Sequence, residues 1–499
     1  MINEQVNMFD VLYPKYKITK PIRLIEFFAG YGSQALALKY LDVPFEHWKI
    51  CEWAVKSIQA YKDIHFANEN FDFSNTSNKE QLVNWLYNLG ISSNYNEQMT
   101  KEQISRLSEN QLRTIWNNIV VTHNLVNIQN VNGKDLCIKD IDKFTYLLTY
   151  SFPCQDLSLA GKGKGMSDTS TRSGMLWEVE RILTECHELG NMPQILLMEN
   201  VPQVHSEDNV EDFNKWKDRL EELGYKNYFQ DLIATDYGIP QTRNRCFMIS
   251  LLGDYSYTFP KPIPLKLKLK DMLEDNVDEK YYISDDLMNH ILKTKEEHEE
   301  YTQYDRYNGD LEMWCRVWKD KSPTLNTKAK DTKIYVKNAT KQGYLETTDG
   351  DGIYISSRME HHRGTVQKNK IQTLTTSSGN DRGVVCNLVN KNIENAINKN
   401  LDKIKNNSFI ETYNENIKND GITSSLTTRC DLNGVIDNLR IRKLTPKECF
   451  RLMGVKDEDF DKVKVNQSDS SLYHLAGDSI VVNVLMAIFK ELLNESEMK

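Results

Sequence analysis

No Cys-x-x-Cys pair occurs anywhere in the chain, although it holds nine cysteines. Residues 51, 137, 154, 186, 246, 315, 386, 430 and 449 stand singly, so the spacing of a structural zinc site is missing, and no bound metal is expected. The odd count also argues against a complete disulfide set, and reduced thiols in a cytoplasmic protein are the expectation. There is no run of about 18 uncharged apolar residues and no charged-then-apolar start between Met1 and Lys20, which speaks against a membrane span or a signal peptide. Proline is scarce, at 12 residues, and 39% of the chain is hydrophobic, so a long compositionally disordered region is not expected. Positive charge is in deficit as well, with a net charge of -9. That sum does not exclude a nucleic-acid partner, because a polyanion meets the local field of one face. From Cys315 to Gly343 eight basic residues stand against only Asp320 and Asp331. Such a stretch is ordinarily a solvated surface, but it could also face phosphates.

With 499 residues, the chain exceeds what one hydrophobic core usually organises. Between residues 21 and 260, short β-rich runs alternate with helical periodicity, which predicts a mostly parallel sheet covered by helices. The candidate strands are Ile22–Phe28, Trp48–Cys51, Phe144–Tyr150, Gln194–Met198, Tyr225–Leu232 and Arg245–Leu252. From Asn75 to about Asn130 the pattern is helical instead, with Leu82, Trp85, Leu86 and Leu89 at helical spacing, and an inserted helical subdomain is predicted. The alternation stops after Pro260. The expected division is 1–261, then a β-rich domain over 262–438, then 439–499 returning to the first domain, with Thr445 capping a helix that opens at Pro446. Within the middle region Ser322–Thr327, Ile371–Thr376 and Ser424–Thr428 repeat one Thr-rich phrase, each followed by a β-rich run, which suggests a repeated hairpin-like unit.

Two clusters carry chemistry. In the first, Leu24 to Phe28 runs into Ala29-Gly30-Tyr31-Gly32-Ser33 and then a helix, the layout of a nucleotide site whose glycines allow tight turning and close ligand approach. Twenty residues after Gly32, Glu52 ends the next strand, where a carboxylate can accept both hydroxyl protons of a ribose, and Trp53 offers a face for adenine. The third glycine of the dinucleotide fingerprint is absent, which favours S-adenosylmethionine, a ligand without pyrophosphate, over a nicotinamide cofactor.

In the second cluster, Ser151-Phe152-Pro153-Cys154-Gln155 follows a strand, placing a thiol where α/β sheets bind ligands, and Gly161 to Gly165 then supplies three glycines and two cations suited to a closing loop. An isolated cysteine is ordinarily a small buried hydrophobe, and here the context reverses that reading. Thiolate attack on carbon 6 of cytosine needs an acidic partner at N3. Glu199, in Met198-Glu199-Asn200-Val201-Pro202, again ends a strand and fits that role. In Gln241-Thr242-Arg243-Asn244-Arg245 the alternate arginines share one side of an extended segment, and one of them can orient Glu199 and the carbonyl of the base.

Taken in order, Phe28-Ala29-Gly30-Tyr31-Gly32, Phe152-Pro153-Cys154-Gln155, Glu199-Asn200-Val201, Gln241 to Arg245, Arg442 to Gly454 and Gly477-Asp478-Ser479-Ile480 closely resemble the DNA (cytosine-5)-methyltransferases of bacteria and phages. The resemblance implies an α/β fold, namely a Rossmann-like S-adenosylmethionine-dependent methyltransferase domain with a smaller β-rich target-recognition domain. It implies a cofactor site formed by Phe28, Ala29, Gly30, Tyr31, Gly32, Glu52, Trp53, Asp135, Leu136, Phe152, Pro153 and Ser479. It implies catalysis by Cys154, Glu199, Arg243 and Arg245 on a cytosine flipped out of double-stranded DNA, with S-adenosylhomocysteine as the product. A monomer is expected, as is a possible pairing with a restriction endonuclease, and Arg316, Arg358, Arg363 and Arg429 become candidates for base or phosphate contact. The sequence departs from the common pattern in the length of its helical insert and in Asp478, which stands where the family generally has asparagine. Three rivals are a transfer-RNA methyltransferase of the same fold, a nicotinamide-dependent oxidoreductase and a non-catalytic DNA-binding protein.

Overall fold

The computed structural model describes residues 13–69, 71–152, 175–281 and 444–493, together with short segments between 292 and 443. The chain separates into two compact units, Met1–Leu267 with Cys449–Lys499, and Lys268–Glu448.

In the first unit a six-stranded sheet has the order β2-β1-β3-β4-β6-β5, where β1 is Ile22–Phe27, β2 Phe45–Cys51, β3 Thr145–Tyr150, β4 Ile195–Asn200, β5 Tyr225–Ile233 and β6 Asn244–Leu252. Strands β1, β3 and β4 are buried at every residue, as a near-continuous apolar run covered on both faces requires. β2, β1, β3 and β4 pair in parallel, and only β6 runs antiparallel to its neighbours β4 and β5. Chain order reverses beside β1, between β2 on one side and β3 on the other, so a crevice opens at the carboxyl ends of these strands. Because β6 is antiparallel, its amino end lies at that same edge.

Helix α1 (Ser33–Tyr40) follows β1 and α2 (Val55–His65) follows β2. The insert forms α3 (Lys79–Leu89), α4 (Lys101–Ser105) and α5 (Glu109–Val121). Each opens on a capping box: Asn78 with Gln81, Thr100 with Gln103, and Ser108 with Gln111. A cap of this kind contributes about 1 kcal/mol, which matters for helices as short as these. Leu82, Leu86, Ile104 and Leu112 close a core of their own, against which Trp53 and Val55 pack from the end of β2. Trp85 lies at its rim and rests on Trp116.

Helices α6 (Leu176–Glu188) and α7 (Val210–Glu222) cover the sheet, and buried Trp216 donates from Nε1 to the Tyr150 hydroxyl at 3.1 Å. That bond satisfies the polar handle of a large aromatic in the core. Thr445 caps α8 (Pro446–Leu452), its Oγ1 accepting from Glu448 N at 3.2 Å while Glu448 Oε2 accepts from Thr445 N at 2.8 Å. The chain then forms α9 (Asp457–Val463), α10 (Asp469–Asp478) and α11 (Val482–Leu492), and α11 packs on α1. The span Asp469–Leu492 is long and apolar enough by composition to cross a membrane, but 72% of its most apolar window is buried, as in a core helix.

The second unit is rich in short antiparallel strands. Gly352–Tyr354 lies between Val366–Gln367 and Arg382–Asn387, and the latter pairs with Leu439–Lys443. Ile334–Lys337 and Phe409–Glu411 are the middle strands of two further three-stranded sheets. Of the Thr-rich phrases only Ile371 is described, and it is buried; the others, like Arg316, Arg358, Arg363 and Arg429, lie outside the described residues.

Candidate active site

The glycine loop bends through three left-handed residues in five: Phe28 at φ 56°, Gly30 at 56° and Gly32 at 82°. For Phe28 this is costly backbone geometry of the kind that persists where surrounding structure enforces it. Phe28 N donates to Cys51 O at 2.8 Å, which ties the loop to the end of β2. The two glycines serve different ends. A Cβ on Gly32 would strike the side chains of His65 and Tyr61, so glycine is needed there for packing, whereas a Cβ on Gly30 would meet open space. Ala29 packs on Ile50 and Tyr61. Tyr31 is fully buried, its ring stacked on Phe450 with centroids 5.2 Å apart and its carbonyl 2.9 Å from His65 Nε2.

Under this loop sits Glu26, completely buried. Its Oε2 accepts from the Tyr61 hydroxyl at 2.6 Å and its Oε1 from Ala35 N at 3.3 Å, while burial pushes the carboxyl up to about 7. Sequence reasoning did not single out Glu26. The available signal was an acid in the middle of the apolar run Leu24-Ile25-Glu26-Phe27-Phe28.

Glu52 meets the loop directly. Its Oε2 accepts from Gly30 N at 3.0 Å and its Oε1 from Ala54 N at 2.8 Å. The Trp53 amide also bonds this carboxylate, which keeps acceptor capacity for a ribose hydroxyl beside Gly30. Burial raises the Glu52 carboxyl to about 7 against the pull of the backbone amides, and Asp478 adds to the rise. Trp53 is partly buried against the insert. Asp135 spends Oδ2 on Asn132, whose backbone N donates at 2.9 Å, and Leu136 O accepts from Trp48 Nε1 at 2.7 Å. These bonds fix the turn at Gly133–Leu136.

At the end of β4, Glu199 is only 7% exposed, and Arg245 Nε lies 3.1 Å from its Oε1. Burial pushes the Glu199 carboxyl up; the charges of Arg245 and Arg243 oppose that rise, and Asp478 reinforces it. The pairing of Glu199 with Phe247 and Asn200 with Cys246 across β4 and β6 sets Arg245 beside the carboxylate. Arg243, also buried, donates from Nη2 to Ser479 O at 2.7 Å and so ties the start of β6 to the end of α10. Ser479 Oγ donates to Leu475 O at 2.5 Å. Asn200 Nδ2 donates to Phe152 O at 3.1 Å, which holds the backbone just beyond β3. Pro153, Cys154 and the glycine-lysine stretch after them lie outside the described residues. The structure thus gathers Glu52, the glycine loop, Glu199 and Arg245 along one sheet edge.

The arrangement offers room for an adenosine-like group beside Glu52 and a buried acid held by an arginine. A family model described as C-5 cytosine-specific DNA methylase matches residues 87–494. The orphan methyltransferase M.SssI of Spiroplasma monobiae is 32% identical over 406 residues, covering 77% of this chain and 98% of that protein. The type II methyltransferase M2.ScrFI of Lactococcus lactis subsp. cremoris is 29% identical over 481 residues, covering 94% of this chain and 99% of that protein. The orphan methyltransferase M.SPRI of Bacillus phage SPR is 28% identical over 388 residues, covering 70% and 82% respectively. The chain belongs to the C-5 cytosine-specific DNA methylase family.

Proposed function

We propose that this protein transfers a methyl group from S-adenosylmethionine to carbon 5 of a cytosine flipped out of a specific duplex sequence, through a covalent bond between Cys154 and carbon 6. The observation that carries this reading is the buried Glu199 carboxyl, kept toward its protonated form and held by Arg245 on the same sheet edge as Glu52 and the glycine loop. Gly30 and Glu52 fit the adenosine part of the cofactor, with open space at the glycine and a carboxylate beside it that can accept from a ribose hydroxyl. When bound, the cofactor supplies an electrophilic methyl group on a sulfonium.

The remaining chemistry belongs to the chain. A protonated Glu199 donates to cytosine N3 and draws electron density from carbon 6, while Arg245 keeps the carboxyl in place. The Cys154 thiolate adds to carbon 6, and the electron pair displaced toward carbon 5 makes that carbon nucleophilic enough to take the methyl group. Loss of the carbon 5 proton to a base restores the double bond and expels the thiolate. Arg243 acts at a distance by fixing Ser479 and, with it, the turn after α10. The region 262–438 would read the duplex, with Arg316, Arg358, Arg363 and Arg429 as contact candidates and its basic segment on the phosphates. The relatives named type II methyltransferases make a partnered restriction endonuclease a reasonable companion for a monomeric enzyme.

The test is to supply purified protein and S-adenosylmethionine with unmethylated genomic DNA or with transfer RNA, and to map 5-methylcytosine at base resolution. Marks confined to one short DNA motif are expected. Marks on RNA alone, or none, would overturn the proposal.

Glu52 gives a second expectation. Its carboxyl, raised to about 7, accepts ribose protons only when ionised, so binding should strengthen as pH rises through 7. A single group at that value makes the cofactor dissociation constant roughly tenfold larger near pH 6 than near pH 8. Calorimetry across this range checks it, and Glu52→Gln should flatten the profile; an unchanged profile in that variant would assign the dependence elsewhere.

A further inference from the structure

Asp478 closes α10, one residue before Ser479. Its Oδ2 lies 3.0 Å from His474 Nε2, one turn back on the same helix. The face of that imidazole rests on the Tyr95 ring, with centroids 3.9 Å apart and planes at 39°. Tyr95 comes from the helical insert, where it holds a left-handed φ of 63°, and its hydroxyl accepts from Ser57 Oγ at 3.5 Å. The insert is in turn stitched to the end of β2: Ser92 N donates to Trp53 O at 2.8 Å, and Val55 N donates to Ser92 O at 2.9 Å. Three elements therefore meet at Asp478 and its support, namely the segment after β2, the insert and α10. On its other flank the next residue, Ser479, is held by Arg243.

The charge of Asp478 also acts on both carboxylates, pushing Glu52 and Glu199 up. In the function proposed above, Glu52 marks the ribose and Glu199 the cytosine. The sulfur that carries the methyl group is attached to the ribose and must present that group to the cytosine, so it has to lie between them. The methyl donor is a sulfonium cation and its demethylated product a neutral thioether; the two are otherwise identical.

We propose that Asp478 is a specificity-determining residue that favours the cationic methyl donor over its neutral product, and that the insert holds it in position through the Tyr95–His474 stack. The inference rests on the cofactor site at Glu52. A fixed negative charge near the sulfur attracts only the donor, which lets the product leave once its charge is gone. The Asp478 side chain is 54% exposed, so solvent screens the effect and its size is that of a surface charge pair. The insert thereby acquires a task at the cofactor rather than at DNA.

The experiment measures dissociation constants of S-adenosylmethionine and S-adenosylhomocysteine by calorimetry, without DNA, near pH 8, for the wild type, Asp478→Asn, Tyr95→Ala and Tyr95→Phe. The ratio of the product constant to the donor constant should fall about threefold in Asp478→Asn, almost wholly through weaker donor binding. In the wild type the ratio should shrink with added salt. Tyr95→Phe keeps the stacking ring and should keep the ratio, whereas Tyr95→Ala should lower it. A wild type that binds neither ligand overturns the cofactor site and the inference with it. A wild type that binds both, with Asp478→Asn leaving the ratio unchanged, overturns the inference alone. Asp478→Asn decides the matter even if Tyr95→Ala does not fold, because it replaces an exposed carboxylate by an amide of the same shape.

Discussion

Cys154→Ala is expected to remove methyl transfer to DNA by about four orders of magnitude or more, with binding of cofactor and duplex retained. The reason is electronic. Carbon 5 of cytosine is a poor nucleophile while the ring remains aromatic, and only addition of the thiolate at carbon 6 pushes an electron pair toward it. Alanine keeps the volume of the residue close and removes the sole group able to add. A labelled-methyl transfer assay reads the rate, and a duplex carrying fluorine at carbon 5 of the target cytosine reads the bond itself, because that carbon has no proton to lose and the adduct persists. The wild type should yield a denaturant-stable protein–DNA species and Cys154→Ala none. Transfer by the variant within tenfold of wild type would exclude Cys154 as the nucleophile.

Glu199→Gln should lower the single-turnover rate by roughly 10²- to 10⁴-fold, the usual worth of a positioned general acid. Glutamine fits the space and still accepts from Arg245, but it cannot pass a proton to N3. The pH profile separates this role from a structural one. Burial raises the Glu199 carboxyl, so it stays protonated to higher pH than a free carboxylic acid, and the rate should fall as pH rises through that raised value. The alkaline limb attributable to Glu199 should vanish in Glu199→Gln, because an amide does not titrate there. A variant that retains both the rate and the limb would remove Glu199 from catalysis. Arg245→Ala should shift the same limb to higher pH, because it removes a cation 3.1 Å from the carboxylate whose charge opposes the rise.

Much of the candidate site was legible because it follows strand ends. Ile22–Phe27, Thr145–Tyr150 and Ile195–Asn200 are buried throughout, and buried parallel strands announce themselves as short apolar runs. The carboxyl ends of parallel strands form the ligand edge of the sheet, which is why Glu52, just after β2, and Glu199, near the end of β4, stood out as candidates from position and residue type. The insert helices were equally visible, since their leucines keep helical spacing and their boundaries carry Asn78, Thr100 and Ser108. Glu26 was not, because an acid inside an apolar strand reads as noise until the Tyr61 hydroxyl and Ala35 amide that satisfy it are brought together from other elements.

The sequence by itself determined the α/β class, the strands and the chemical types at their ends, because propensity, periodicity and turn chemistry act over a few residues. Only the tertiary structure decided that β6 lies antiparallel between β4 and β5, which is what turns Arg245 onto Glu199 across 46 residues of chain. It also decided that the Tyr31 ring packs on Phe450 rather than facing the crevice, and that Tyr95 meets His474 from a distant part of the chain. These contacts depend on sheet order and on the packing of helices that no local pattern encodes. Burial is likewise a property of the assembled fold, and it is burial that raises the carboxyls of Glu26, Glu52 and Glu199 above those of ordinary glutamates.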